Sequence, residues 1–143
     1  MLGIGVIAGP GLRVVGEGAD ALPGAAESTG VDLSLTYKPG WSAAKRTEAD
    51  VKVQILNDGE TVVTQSTRSG TSAASRYRSA GNQIPAGSDV DHAIDLQLGG
   101  SDTVSNMWPL NSSVNRSLGA QIQQQIKNIP PGTVINKVTI GDR

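Results

Sequence analysis

Three stretches of this chain carry apolar residues at helical spacing, and four carry the shorter pattern of strands. From Ser42, a plausible N-cap, Ala43, Ala44, Ala49, Val51, Val53, Ile55 and Leu56 form an imperfect apolar face, and Asn57-Asp58-Gly59 stops it. This predicts a helix over 42–56. Thr61–Thr67 is rich in β-branched residues and predicts a strand. Ala73–Ser79 predicts a short helix carrying Arg76, Tyr77 and Arg78, and Pro85 and Gly87 then break the chain. Val90–His92 and Asn106–Leu110 predict two short strands, the second limited by Pro109, around a loop that turns at Gly99-Gly100. Ser112 or Ser113 is expected to cap a helix from about Val114 to Asn128, with Leu118, Ile122, Ile126 and Ile129 on one face and Pro130-Pro131-Gly132 ending it. Thr133–Ile140 alternates as a last strand. Residues 1–36, with eight glycines, two prolines and no aromatic residue, hold no sustained period and are expected to be a linker before a domain spanning 37–143. The fold class expected is α+β.

Composition narrows the chemistry. At 143 residues the chain fits one domain, and with no Phe its core must rest on Val, Ile, Leu and Ala. The absence of Cys removes disulfides and thiolate metal sites. The opening run Leu2–Val15 is broken by glycines, Pro10 and Arg13 and lacks a basic leader, so neither a membrane span nor a secretory signal is expected. The net charge of −1 is unusual for a protein acting on nucleic acid, but its distribution matters more. Residues 61–143 hold seven bases and five acids, and three of those acids, Asp89, Asp91 and Asp95, crowd around the single histidine, His92. Between Arg68 and Ser88 lie three arginines and no acid.

From Asp91 to Asn115, a carboxylate, an imidazole and two carboxamides fall within 25 residues: Asp91, His92, Asn106 and Asn115. Their frame of strand, loop with Gly99-Gly100, strand and helix resembles the HNH branch of the ββα-metal nucleases. In that family an acid-histidine pair ends the first strand, Asn opens the second, and the helix supplies a last His or Asn. The intervals of 14 from His92 to Asn106 and 9 from Asn106 to Asn115 are also similar to those of the HNH domain of the CRISPR-associated guide-RNA nuclease. The resemblance covers roughly residues 88–120. It implies a ββα-metal core, with an additional N-terminal helix and strands, and hydrolysis of phosphodiester bonds.

Each residue type suits that reaction. A neutral imidazole near pH 7 can take a proton from the attacking water, which makes His92 the candidate base. A hard divalent cation, Mg²⁺ or alternatively Mn²⁺, would stabilise the added negative charge and the leaving alkoxide. Asp91 and Asn115 offer it oxygen ligands, with Asp89 as the substitute for Asp91. With one histidine and no cysteine a protein-built tetrahedral zinc site is not expected, a departure from colicin-type HNH nucleases, which use several histidines on the metal. Asn106 either bridges the loop backbone and so holds His92, or contacts substrate or metal directly. Asn115 could instead be only a helix cap. Arg116 is a candidate phosphate clamp, and Arg76 and Arg78 could track a nucleic-acid backbone, although a solvated helix face reads the same way. Asp95 and Gln97 are candidates for supporting the site. Trp108 fits a core position better than a base-stacking platform.

A second resemblance lies upstream. Tyr37-Lys38-Pro39-Gly40-Trp41 through Ser75-Arg76-Tyr77-Arg78-Ser79-Ala80-Gly81-Asn82 looks like the tip region of bacterial polymorphic toxins of the Rhs type. That implies a nuclease effector delivered by a contact-dependent or type VI machine, acting on DNA in the target-cell cytoplasm, and a cognate immunity protein. Residues 1–36 would be the delivery junction. An RNase, a nicking or repair endonuclease, or a silent nucleic-acid-binding module are the competing functions.

Overall fold

A computed structural model describes residues 30–64 and 72–142. The chain divides into two units at Val31/Asp32, and apart from Val31 the elements below belong to the second. They run β1 (Val31–Thr36), α1 (Ala43–Asp58), α2 (Ala73–Ser79), β2 (Ser88–His92), β3 (Met107–Asn111), α3 (Ser112–Ile126) and β4 (Ile135–Gly141). Single 3₁₀ turns occupy Leu96–Leu98 and Val104–Asn106 between β2 and β3. The architecture is α+β, with two two-stranded sheets, β1–β4 and β2–β3.

β1 corrects the linker reading for its six residues. Val31–Thr36 alternates, with Leu33 and Leu35 buried, and pairs with β4 from the far end of the chain. A strand whose partner lies a hundred residues away gives little local signal. The remainder of the expected linker, residues 1–29, lies outside the described residues. So do residues 65–71, which include Arg68 and part of the expected strand Thr61–Thr67. Of the described part of that strand, only an isolated antiparallel bridge, Val62 to Val134, is present.

The small sheet β1–β4 is closed at both edges by side-chain amides. On α3, Gln121 and Gln125 each accept from and donate to one residue of β1: Gln121 to Thr36 (2.9 and 3.1 Å), Gln125 to Ser34 (3.0 and 2.8 Å). Spacing of four on the helix and two on the strand makes this possible, since i, i+4 share a helix face and i, i+2 one strand edge. On the other side, the Asn57 amide makes the same reciprocal pair with Val138 of β4, both at 2.8 Å. Edge backbone groups that would otherwise invite another strand are thereby satisfied.

α3 packs through Val114, Leu118, Ile122 and Ile126, an unbroken i, i+4 stripe of buried residues. Its cap is Asn111, whose side chain accepts from the Ser113 and Val114 backbone N–H groups, and not Ser112 or Ser113 as expected. β3 therefore passes into α3 with no intervening loop. α1 begins at the expected cap, Ser42, which accepts from Lys45 N–H, and ends at Gly59. Its buried stripe is Ala49, Lys52, Val53 and Leu56. Val51, assigned to the apolar face from the sequence, is instead 41% exposed. Lys52, at 2% exposure, takes a core position.

β2 and β3 form an antiparallel hairpin in which Asp91 faces Trp108, His92 faces Met107 and Asp89 faces Leu110. The strand is two residues longer than expected, starting at Ser88, because the register continues through Pro109 opposite Val90. α3 lies against this hairpin and α2 against β2. Hairpin, helix and α2 together position the residues of interest.

Candidate functional site

A cavity of about 480 Å³ opens between α2, β2 and the first turn of α3. Asp89, Asp91, His92, Asn115, Arg116 and Arg78 all line it. Residues up to 38 apart in sequence therefore share one concave surface. Of the residues singled out in the sequence, Asn106, Arg76, Asp95, Gln97 and Trp108 lie outside this lining.

Asn106 acts on the loop. Its carboxamide accepts from Ile94 N–H (3.0 Å) and donates to the carbonyls of Ile94 (2.9 Å) and Ser101 (2.9 Å), and its own carbonyl accepts from Ala93 N–H (2.7 Å). Four hydrogen bonds from one residue tie the turn after His92 to the start of β3. Of the two roles open to Asn106, the loop bridge is the one present. It ends the 3₁₀ turn and β3 opens one residue later, at Met107.

The glycine pair carries more than turn geometry. Gly99 sits at φ +92°, a region that side chains avoid. Gly100 approaches the loop so closely that a Cβ there would lie 1.8 Å from the Ile94 carbonyl oxygen and 2.8 Å from the Asn106 amide nitrogen.

His92 is buried, at 4% exposure, and its Nε2 lies 2.9 Å from Asp102 Oδ1. The same oxygen accepts from Arg76 Nη1 at 2.9 Å, while Arg76 Nη2 donates to the Asp102 carbonyl at 2.5 Å. Arg76 thus reaches the histidine's partner through its guanidinium. The sequence offered no sign of Asp102: it sits in an irregular loop, ten residues beyond its histidine.

Asp91 is anchored from below. Its Oδ2 accepts from Lys52 Nζ (2.8 Å) and from the Trp108 indole N–H (2.9 Å). Lys52 also donates to the carbonyls of His92 (2.7 Å) and Ala93 (3.0 Å) and lies 2.5 Å from Asp95 Oδ1. Burial pushes the Asp91 carboxyl above the usual carboxylate range; Lys52 opposes that and Asp95 adds to it. Asp95 lies in this buried charge cluster, and Gln97 donates to it at 3.2 Å. Trp108 is half-buried, with its polar edge on Asp91. Lys52 was missed, yet the sequence carries a trace of it. Ala49, Lys52, Val53 and Leu56 follow i, i+3, i+4, i+7, and a charge inside such a stripe needs a buried partner.

Asp89 faces α3. Asn115 Nδ2 donates to its Oδ2 (2.9 Å), Ser112 Oγ to its Oδ1 (2.8 Å), and Arg116 to both oxygens (3.1 Å each). The Asn115 amide, helped by Arg116 and Ser112, holds the Asp89 carboxyl below the usual range. Asn115 is not the cap of α3; Asn111 is.

Among the described residues no group of three or more His, Cys, Asp or Glu side chains is placed to hold a metal by itself. The donor chemistry fits a cation that needs few protein ligands. Mg²⁺ keeps several waters and takes one or two carboxylates plus substrate phosphate. Asp91 is engaged through Oδ2, which leaves Oδ1 as its second donor. Asn115 gives its nitrogen to an anionic carboxylate, so its carbonyl oxygen is the end turned away from Asp89.

Comparison with known proteins finds no match: no family model, no curated protein and no solved structure. Among the described residues no helix is long and apolar enough to cross a membrane.

Proposed function

We propose that this chain is a divalent-metal-dependent endonuclease built on a ββα-metal core, with β2, β3 and α3 as that core. The observation that carries the proposal is the cavity lined at once by His92, Asp91, Asn115, Arg78 and Arg116. A base, two oxygen donors and two guanidinium groups on one concave surface are what phosphodiester hydrolysis asks of a protein.

In this mechanism His92 accepts the proton of the attacking water. Asp91, through Oδ1, and Asn115, through its carbonyl oxygen, would hold one Mg²⁺ or Mn²⁺. That ion supplies charge stabilisation at the phosphate and the leaving oxygen when bound. Asp89 orients Asn115 by binding its amide nitrogen. Arg116, 74% exposed in its side chain, can leave Asp89 for a phosphate oxygen, since an exposed ion pair contributes about 0–1 kcal/mol. Arg78, exposed on the opposite wall of the cavity, makes a second phosphate contact. Arg76 contributes through Asp102, in place of the direct backbone tracking expected of it.

DNA is the proposed substrate. Supercoiled plasmid with Mg²⁺ should be nicked and linearised, and chelator should stop it. His92→Ala should abolish cutting while the thermal transition persists. Cutting by His92→Ala at the wild-type rate removes the base assignment, and preferential loss of total RNA in a mixed digest makes the enzyme an RNase.

The proposal that the nuclease is a delivered interbacterial effector with an immunity protein rests on the resemblance of residues 37–82 to polymorphic-toxin tips. Its test is expression in the cytoplasm of a bacterium. Growth arrest that depends on His92 supports it, and unimpeded growth with active enzyme present counts against it.

A further inference from the structure

We infer that Asp102 is a positioning residue that fixes the proton of His92 on Nε2, and that Arg76 locks Asp102 in that role. The inference rests on the proposal that His92 is the base of the reaction.

A carboxylate has no proton to give, so the 2.9 Å contact between His92 Nε2 and Asp102 Oδ1 requires Nε2 to be the donor. Nδ1 then carries the lone pair. A neutral imidazole in water exchanges between its two tautomers, and only one of them is a base at a given nitrogen. Asp102 removes that choice. It also answers a second need. The ring is 4% exposed, and taking a proton from water makes it a buried cation, which is costly without a counter-charge. Asp102 supplies the counter-charge on the side of the ring away from Nδ1.

Arg76 keeps this carboxylate from rotating. It grips the side chain and the backbone of one residue, Nη1 on Oδ1 at 2.9 Å and Nη2 on the main-chain oxygen at 2.5 Å. Asp102 and Arg76 side chains are only 20% and 24% exposed, so the lock is a part-buried pair behind His92 and not a surface pair. α2 carries Arg76 on one face and Arg78 beside the cavity, which joins the base and a phosphate contact through one short helix.

The chain contains one histidine, so protein labelled with ¹⁵N-histidine reports a single side-chain imidazole. Near neutral pH the wild type is expected to show Nε2 bonded to a proton protected from exchange, and Nδ1 unprotonated. Asp102→Ala should lose the protected proton and show exchanging tautomers, and its kcat for plasmid cleavage should fall about a hundred-fold with KM little changed. Asp102→Asn keeps an acceptor oxygen without the charge; it should retain part of the protected signal and fall between the two in kcat. A proton on Nδ1 in the wild type overturns the assignment, and this measurement needs no variant to fold. So does a folded Asp102→Ala that keeps both the protected proton and the wild-type kcat. If the tautomer shifts as expected but the wild type cuts no nucleic acid, the Asp102–His92 pairing stands and the nuclease proposal fails.

Discussion

Lys52 illustrates how a single residue can hold a site it does not line. Its ammonium has three protons and four acceptors within reach: two carboxylates and two backbone carbonyls of the turn after β2. Removing it leaves two buried carboxylates without their cation, a loss of about 3–5 kcal/mol for a broken buried pair. Lys52→Met should therefore shift the denaturant midpoint strongly downward. Lys52→Met combined with Asp91→Asn and Asp95→Asn should recover much of the loss, because no uncompensated charge remains. A single variant as stable as wild type would show that the cluster adds nothing to folding. Asp89 acts differently. In the proposed metal site it would turn the Asn115 amide, so Asp89→Asn should weaken Mn²⁺ binding about ten-fold without unfolding the protein, as loss of a group behind a metal ligand does. Titration by paramagnetic relaxation reads this directly, and unchanged affinity would assign Asn115 no such dependence.

At the level of elements, the loop between β2 and β3 carries the most constraint. Gly100 lies against the Ile94 carbonyl, and Asn106 bonds the Ile94 N–H and that same carbonyl. Gly100→Ala should cost on the order of 3 kcal/mol by overpacking and loss of the Asn106 bonds. Gly119→Ala, on α3 with open space around it, is the control and should be neutral or stabilising. Equal stability of the two variants would mean that the loop yields readily. Much of this frame was legible in the sequence. α2 has its expected bounds, α1 its expected cap, and Asn106 its expected bridge, because caps, breakers and local hydrogen bonds are written within a few residues of where they act. β1 was not legible, since its partner strand and its glutamine contacts lie 85 or more residues away. The site divides the same way. Asp91, His92 and Asn115, singled out by their spacing along adjoining elements, line one cavity, whereas Lys52 and Asp102 reach their partners across the fold. Asp102 left no pattern, and Lys52 left only a charge in an apolar stripe.

Over the whole molecule, a net charge of −1 argues against a large electrostatic contribution to nucleic-acid binding. The described charges are compatible with the proposed nuclease reading. Lys52 is shared by Asp91 and Asp95, Arg76 pairs with Asp102 and Arg116 with Asp89, so three cations offset most of the charge of the four acids around the cavity. Two guanidinium groups at the cavity, Arg78 and Arg116, are then the phosphate contacts proposed for the described part of the chain. Each neutralised phosphate adds about 0.9 to the slope of log affinity against log salt, which gives a slope of about −2. Binding of a short duplex to the non-cutting His92→Ala variant, followed by fluorescence anisotropy over a salt series, measures it. Arg116→Gln should reduce the slope by about one and weaken binding at every salt concentration to a degree independent of sequence. A slope of about −5 or steeper would require basic surface beyond this cavity, and the site would then be one part of a longer binding track.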